Sequence, residues 1–323
     1  MKSIKILLCS ILFFYSCTTP PNILKDRRDG QVYSTITIGD QIWMAENLAY
    51  LPEVSPPIST SDTDPFYYIY DYDGTDEKIA KSTTNYQTYG VLYNWPAAMK
   101  ACPAGWHLPN DTDWTQLIEY LGGETFAGGK MKETGTIHWE SSNEEVTNIS
   151  GFTVLPGGYR DYGSDDFKAI GKNGYFWAST WNSKSNAWHR LFPSYSNIVY
   201  HYANSKSNGF SVRCIKGVTY PTILTSGVSE ITSTTAKFTY DIISDGGSAL
   251  STLGITLYEI PKANDTGNLG SMRVSGAMNP KLGTYTKTYE DLTPNTTYRV
   301  NVAVGNIVGE AHGEERMFTT RHY

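Results

Sequence analysis

Cysteine is scarce in this chain, and its spacing excludes more than its number does. Four copies occur in 323 residues, at positions 9, 17, 102 and 214. None forms a CxxC pair, so a thiolate zinc site has a weak case. Positive charge is also short: Lys and Arg number 26 against 32 Asp and Glu, for a net charge of −6. Binding to nucleic-acid phosphates needs a basic surface that such a balance does not provide. Long apolar runs are missing as well. Ile6 to Tyr15 is an apolar stretch, but a bilayer-spanning helix needs about 20 residues. Catalytic constellations are absent in the same way. His107, His138, His189, His201, His312 and His322 form no HExxH or HxH cluster, and none sits beside a serine or cysteine nucleophile motif. Asp165 and Asp166 are adjacent and lack the facing geometry of a glycosidase pair; Asp161 to Asp166 reads as a solvated turn. The acidic stretch around Asp71, Asp73, Asp76 and Glu77 has its one glycine, Gly74, out of place for a calcium loop and lacks the terminal Glu. Leu155 to Arg160, LPGGYR, does not open a helix and so is no phosphate cradle. The expectation is a chain with no catalytic residue, no metal and no cofactor.

The N-terminus reads as a targeting segment. Lys2 and Lys5 precede the apolar stretch, and Phe14-Tyr15-Ser16-Cys17 ends it. That ending resembles a relaxed bacterial lipobox, whose cysteine is lipidated after cleavage; an ordinary secretory signal cut near Ser16 is the alternative. The polar, proline-containing Thr18 to Asn22 that follows suits a tether. This makes residues 1–17 a lipoprotein signal peptide, Cys17 the palmitate-bearing anchor and the cell envelope, with the outer membrane favoured, the location. Cys9 then leaves with the signal, and only Cys102 and Cys214 remain in an oxidising setting. A disulfide between them is the economical reading; two free thiols or a metal site are the alternatives.

What the chain has in quantity is tyrosine, 24 copies, which favours β-structure and aromatic surfaces. One clear helix stands out. Asn110 and Asp111 can cap it, Trp114, Leu117, Ile118 and Leu121 recur on one face, and Gly122-Gly123 stops it. A shorter helix is expected over Asn94 to Ala101, with Asn94 as cap and Pro96 in the first turn. Asp26 to Leu48 reads as a hairpin turning at Gly39-Asp40. Ala49 to Thr88 and residues 122–150 read as loops, with Trp139 a plug in the second. Six short apolar runs from Gly151 to Ile215 read as strands of one compact antiparallel sheet.

Six strings carry a resemblance: WMAENL (Trp43–Leu48), YGVLYNW (Tyr89–Trp95), CPAGWHLP (Cys102–Pro109), LPGGYR (Leu155–Arg160), YFWAST (Tyr175–Thr180) and GFSVRCIK (Gly209–Lys216). In this order they resemble the Fibrobacter succinogenes major paralogous domain, found in exported bacterial proteins that are often lipoproteins. The resemblance implies a C-type-lectin-like α+β fold, shared with the formylglycine-generating enzymes. Those enzymes use cysteines and metal chemistry, whereas Cys102 and Cys214 match structural positions in the strings. The EPN or QPD and WND strings of calcium lectins are absent; Trp181-Asn182-Ser183 comes nearest and lacks the carboxylate. After Lys216 tryptophan disappears and threonine and valine dominate. There Leu292 to Val304, LTPNTTYRVNVAV, resembles the fibronectin type III pattern, with Tyr298 as the corner tyrosine above Leu292.

The expected fold class is an α+β C-type-lectin-like domain followed by an all-β fibronectin type III-like sandwich. The expected boundaries are tether 18–25, first domain 26–216, linker 217–222 and sandwich 223–323. Trp181, Trp188, Tyr195, Tyr200 and Tyr202 are the candidate ligand-binding residues, with Asn182, Asn186, Asn197 and Asn204 as polar neighbours. An aromatic face can stack on a sugar or on a protein. The expected role is therefore non-catalytic recognition of a glycan or of an envelope or matrix protein. A structural subunit of an envelope assembly, and an enzyme on the formylglycine-generating scaffold, are the alternatives.

Overall fold

A computed structural model describes residues 23–141, 145–261 and 271–322. The signal peptide, Cys17 and most of the tether lie outside the described residues. The chain opens with β1 (Ile23–Lys25), β2 (Val32–Ile38), β3 (Gln41–Met44) and β4 (Tyr67–Tyr68). It continues through α1 (Glu77–Ser82), α2 (Thr84–Tyr89), β5 (Leu92–Tyr93) and α3 (Trp95–Ala101). Next come β6 (Trp106–His107), α4 (Asp111–Tyr120) and α5 (Glu124–Met131). The second half of this region holds β7 (Gly157–Arg160), β8 (Phe167–Ile170), β9 (Asn173–Trp181), β10 (Asn186–Pro193), β11 (Tyr200–Ser205) and β12 (Ile215–Lys216).

Two five-stranded sheets result, where the spacing of the apolar runs predicts one. The first runs β1-β2-β3-β12-β6 and the second β11-β10-β9-β7-β8. The closing strand does not extend the second sheet. Ile215 pairs with Trp43 of β3 and His107 of β6, so the end of the region returns to its beginning. β7 and β9 run parallel, which also departs from an all-antiparallel sheet. Ile23–Lys25, expected as tether, pairs with Val32–Ser34.

The organising helix α4 forms as its residues dictate. Asn110 and Asp113 make a reciprocal capping box: Asp113 N donates to Asn110 Oδ1 at 2.9 Å and Asn110 N donates to Asp113 Oδ2 at 2.8 Å. Trp114, Leu117, Ile118 and Leu121 are all buried, in a core with Trp43, Phe152, Phe176 and Phe192. Gly122 and Gly123 follow at φ of 100° and 89°. α3 is capped by Asn94, whose Oδ1 accepts from Ala97 N. Two regions expected as loop contain helix. α1 is capped by Asp76, whose side chain accepts from Lys78 and Ile79. α5 carries Gly128-Gly129, and glycine normally weakens a helix. Here close packing decides: a Cβ on Gly128 would sit 2.4 Å from the Asn197 carbonyl oxygen. Trp139 is buried, as a plug.

Cys102 and Cys214 are bonded, with Cα atoms 5.8 Å apart across a separation of 112 residues. The bridge ties the end of α3 to the strand that closes the first sheet. In the chain-entropy picture a loop of that length contributes about 4–5 kcal/mol.

From Thr222 the chain is all β: β13 (Thr222–Ser229), β14 (Ala236–Ser244), β15 (Thr252–Glu259), β16 (Met272–Met278), β17 (Gly283–Tyr289), β18 (Thr297–Gly305), β19 (Glu310–His312) and β20 (Arg316–Thr319). They form a sandwich of β13-β14-β17 against β16-β15-β18, with β19 and β20 on the far edge of β18. β16 and β17 are strands that the residue pattern does not announce. Thr293 N donates to the Tyr298 hydroxyl at 2.9 Å, and Leu292 is buried in the same core. This is the fibronectin type III-like corner.

Candidate functional site

The strings that carry the family resemblance are committed to holding the fold. Arg213 is fully buried, with its guanidinium over the Phe152 ring at 4.8 Å. It donates to Asn47 Oδ1 at 2.8 Å, to the Met44 carbonyl at 3.3 Å, to the Thr153 carbonyl at 2.8 Å and to the Phe152 carbonyl. Arg160 donates to the carbonyls of Pro57 and Ser207 and pairs with Asp165 at 2.7 Å. Asn94 spans Phe66 N, Ser61 O and Asp64 O. The Trp95 and Trp177 indoles donate to the carbonyls of Ala178 and Tyr93. His107 has both ring nitrogens engaged, one on the Gly217 carbonyl and one on Asp113, each at 3.1 Å. Arg213, Arg160, Asn94 and the two indoles are buried with their polar atoms hydrogen-bonded, and the half-buried His107 has both nitrogens engaged.

The five aromatic candidates do not form one patch. Strand alternation divides them. In β10–β11, His189 faces Tyr202 and Leu191 faces Tyr200, while Arg190 faces His201 and Trp188 faces Ala203. Tyr200 and Tyr202 therefore share one face, their rings parallel at 5.7 Å and 9°. They stand on β11, an edge strand of the second sheet. Tyr202 is 48% exposed, and Tyr195 in the preceding turn is 75% exposed. Trp188 lies on the opposite face against His201, the ring centroids 4.3 Å apart and tilted, and packs against the core of α4. There Arg190 and His201 both reach Asp111 Oδ1, at 2.8 and 3.1 Å. Trp181 ends β9, beyond an irregularity in its pairing with β10, and is 44% exposed.

Beneath the tyrosine ladder lie groups that sequence reasoning missed. His189 is almost fully buried beside Tyr175, Trp177, Tyr202 and Phe210, and its Nδ1 has no partner. Burial, with the charges of Arg190 and His201 behind it, pushes its pKa down to about 3, so it is neutral at any physiological pH. Tyr175 and Tyr159 extend the aromatic row toward Phe210. The i, i+2 repeats Tyr175/Trp177 and Tyr200/Tyr202 were the available signal. Of the asparagines, Asn197 and Asn204 are held internally by Glu145 and Asn208; Asn182 and Asn186 shape the hairpin turn after Trp181.

Two cavities accompany these surfaces. One, of about 550 Å³, gathers Tyr70, Asp71, Tyr72, Asp73, Asp165 and Phe167, so the tyrosine- and acid-rich loop does form a groove. No group of three or more His, Cys, Asp or Glu among the described residues could hold a metal ion. The second, of about 590 Å³, opens between Trp181 and the sandwich strands β13 and β19. Lys206 lines it. Its amine lies 4.4 Å from the Trp95 ring and 5.0 Å from the Trp181 ring. Its Nζ donates to the Lys184 carbonyl at 2.9 Å, and burial pushes its pKa down to about 8.

Residues 36–216 match the model of the Fibrobacter succinogenes major domain, more than half of the chain, and the chain belongs to that family. No curated protein matches it. Solved structures similar to part of it include the sensor domain, in its short form, of the anti-sigma factor RsgI4 of Pseudobacteroides cellulosolvens. That match has 24% identity and a TM-score of 0.24, and covers 33% of this chain and 100% of that one. The third fibronectin III domain of human KIAA0343 protein is similar at 20% identity, covering 33% and 88%, with a TM-score of 0.26.

Proposed function

We propose that this chain is a non-catalytic lipoprotein of the bacterial envelope that recognises a glycan or an envelope or matrix protein. The observation that carries the reading is the ladder of half-buried Tyr200 and exposed Tyr202 on the edge strand β11, with exposed Tyr195 in the preceding turn. Parallel rings on an open edge give an apolar stacking surface that does not disturb the core. The disulfide supports an exported, oxidising location and leaves neither Cys102 nor Cys214 as a thiol, which counts against formylglycine-type chemistry. We read residues 26–216 as C-type-lectin-like because the first hairpin and the last strand meet in one sheet, with the long intervening chain looped out. The linker is then 217–221, and the sandwich begins with β13 at Thr222. Cys17 is the lipidated residue and the outer membrane the favoured location. Equal palmitate labelling of wild type and Cys17→Ala would refute the anchor.

A glycan array probed with the exported chain tests recognition. Tyr200→Ala/Tyr202→Ala is expected to lose at least about tenfold in affinity, or roughly 1.4 kcal/mol, with an unchanged melting curve. Unaltered binding by that variant would remove the ladder from the account. One observation favours the second reading, a subunit of an envelope assembly. β16 is an edge strand whose Met272, Val274 and Met278 are exposed, and such an edge invites pairing with another chain.

A further inference from the structure

We infer that the cleft between Trp181 and the sandwich is a binding site for a carboxylated saccharide, with Trp181 stacking on the sugar ring and Lys206 holding the carboxylate. The inference rests on the recognition reading above and assigns it a second site and a ligand class. A volume of about 590 Å³ falls within the range of small-molecule sites, about 300–1,000 Å³. One wall is the half-exposed Trp181 indole; the opposite wall includes the apolar Ile223 and Leu224 of β13. An indole suits the C–H face of a pyranose.

The charges decide the class. The cleft contains cations and anions, but they are differently engaged. Glu314 pairs with Arg316 at 2.7 Å, and Asp241 accepts the hydroxyls of Ser226 and Thr284. Lys206 is 1% exposed, yet its amine makes a single hydrogen bond among the described residues, to the Lys184 carbonyl. An ammonium has three donors, and a buried charge is stable when paired and hydrogen-bonded. Two aromatic faces stabilise this one in part. Asp62 on the exposed rim favours the ammonium at longer range. A ligand carboxylate entering the cleft would supply the missing acceptors and displace the influence of Asp62. Neutral sugars would leave the amine as it is.

The test is calorimetric titration of the full exported chain with a uronic-acid trisaccharide and with its carboxyl-reduced neutral counterpart. The acidic sugar is expected to bind at least about tenfold more tightly than the neutral one. Trp181→Ala and Lys206→Met should each lose that binding, and Asp62→Asn, at the exposed rim, should strengthen the acidic sugar two- to fivefold, an order-of-magnitude expectation for removing a screened charge. Asp62→Asn keeps the idea testable if Lys206→Met fails to fold. Equal binding of the two sugars, weaker binding in Asp62→Asn, or no binding of either sugar would overturn it. Tyr200→Ala/Tyr202→Ala separates this site from the ladder: that variant should bind the acidic trisaccharide as wild type does, and loss there would place the sugar on the ladder instead.

Discussion

His189 sits among four aromatic rings with its imidazole held neutral, its pKa lowered from 6.5 to about 3 by burial and the nearby charges of Arg190 and His201. An unfolded chain takes up a proton near pH 6.5 that the native state refuses until about pH 3. Its effect on stability is therefore flat above pH 6.5 and becomes a growing loss as the pH falls toward 3. His189→Gln is expected to flatten that acid limb, measured as urea midpoints from pH 7 to 4; an unchanged slope would show that His189 is not held neutral. At this scale the sequence is legible where a residue has one physical use. Asn110, Asn94, Tyr298, Cys102 and Cys214 do what their types and positions indicate. It is not legible for Trp188 and Trp181. Their exposure depends on which face of β10 meets α4 and on how β9 ends, and both are set by partners far along the chain.

Among the elements, α5 shows why local preference misleads. Gly128 and Gly129 mark a loop by propensity, since alanine is better in a helix by about 1 kcal/mol. The helix forms because its glycine face presses on Asn197, and Gly128 N donates to the Asn197 carbonyl at 3.0 Å. Gly128→Ala is accordingly expected to destabilise the protein by about 1–3 kcal/mol, against its helix propensity. Gly254→Ala, where nothing lies within 4 Å, should be tolerated. Denaturant titration of both variants separates the two effects, and a stabilised Gly128→Ala would contradict the packing. The acid-rich Ala49 to Thr88 segment hides its helices for a similar reason. They depend on caps at Asp76 and Thr83, which are weak signals without the neighbours that bury Ala80.

Across the whole molecule, the junction of the two modules combines backbone bonds with Leu224 and Ile243 of the sandwich packed against the first module's core. Gly105 N donates to the Gly247 carbonyl, Gly217 N to the Gly105 carbonyl and Thr219 N to the Gly246 carbonyl, all at 2.8–2.9 Å. Asn306 Nδ2 clasps the carbonyls of Thr219 and Asp245. Gly246 and Gly247 have φ of 68° and 81°, and a Cβ on Gly246 would lie 2.2 Å from the Thr219 carbonyl oxygen. The sequence marks Asp245-Gly246-Gly247 as a turn and residues 217–222 as a linker. It holds no sign that the two meet, because most of these bonds are backbone bonds with no side-chain signature and Asn306 lies far along the chain. Removal of the Cys102–Cys214 bridge tests how far the first module depends on closure. Cys102→Ser/Cys214→Ser is expected to lower its stability by about 4 kcal/mol. The sandwich, with its own core, should keep its transition; simultaneous loss of both would show a single cooperative unit.

The family strings build a scaffold, and the proposed recognition uses side chains outside their buried network. Hydroxyl-radical footprinting of the full chain, with and without a glycan selected from the array, measures this at each aromatic residue. Protection is expected at Tyr195, Tyr200 and Tyr202, or at Trp181 for an acidic sugar, with oxidation at Trp43, Trp95 and Trp114 low in both states. Ligand-dependent protection centred on His107 or elsewhere in the family strings, with the tyrosine ladder and Trp181 unchanged, would contradict it.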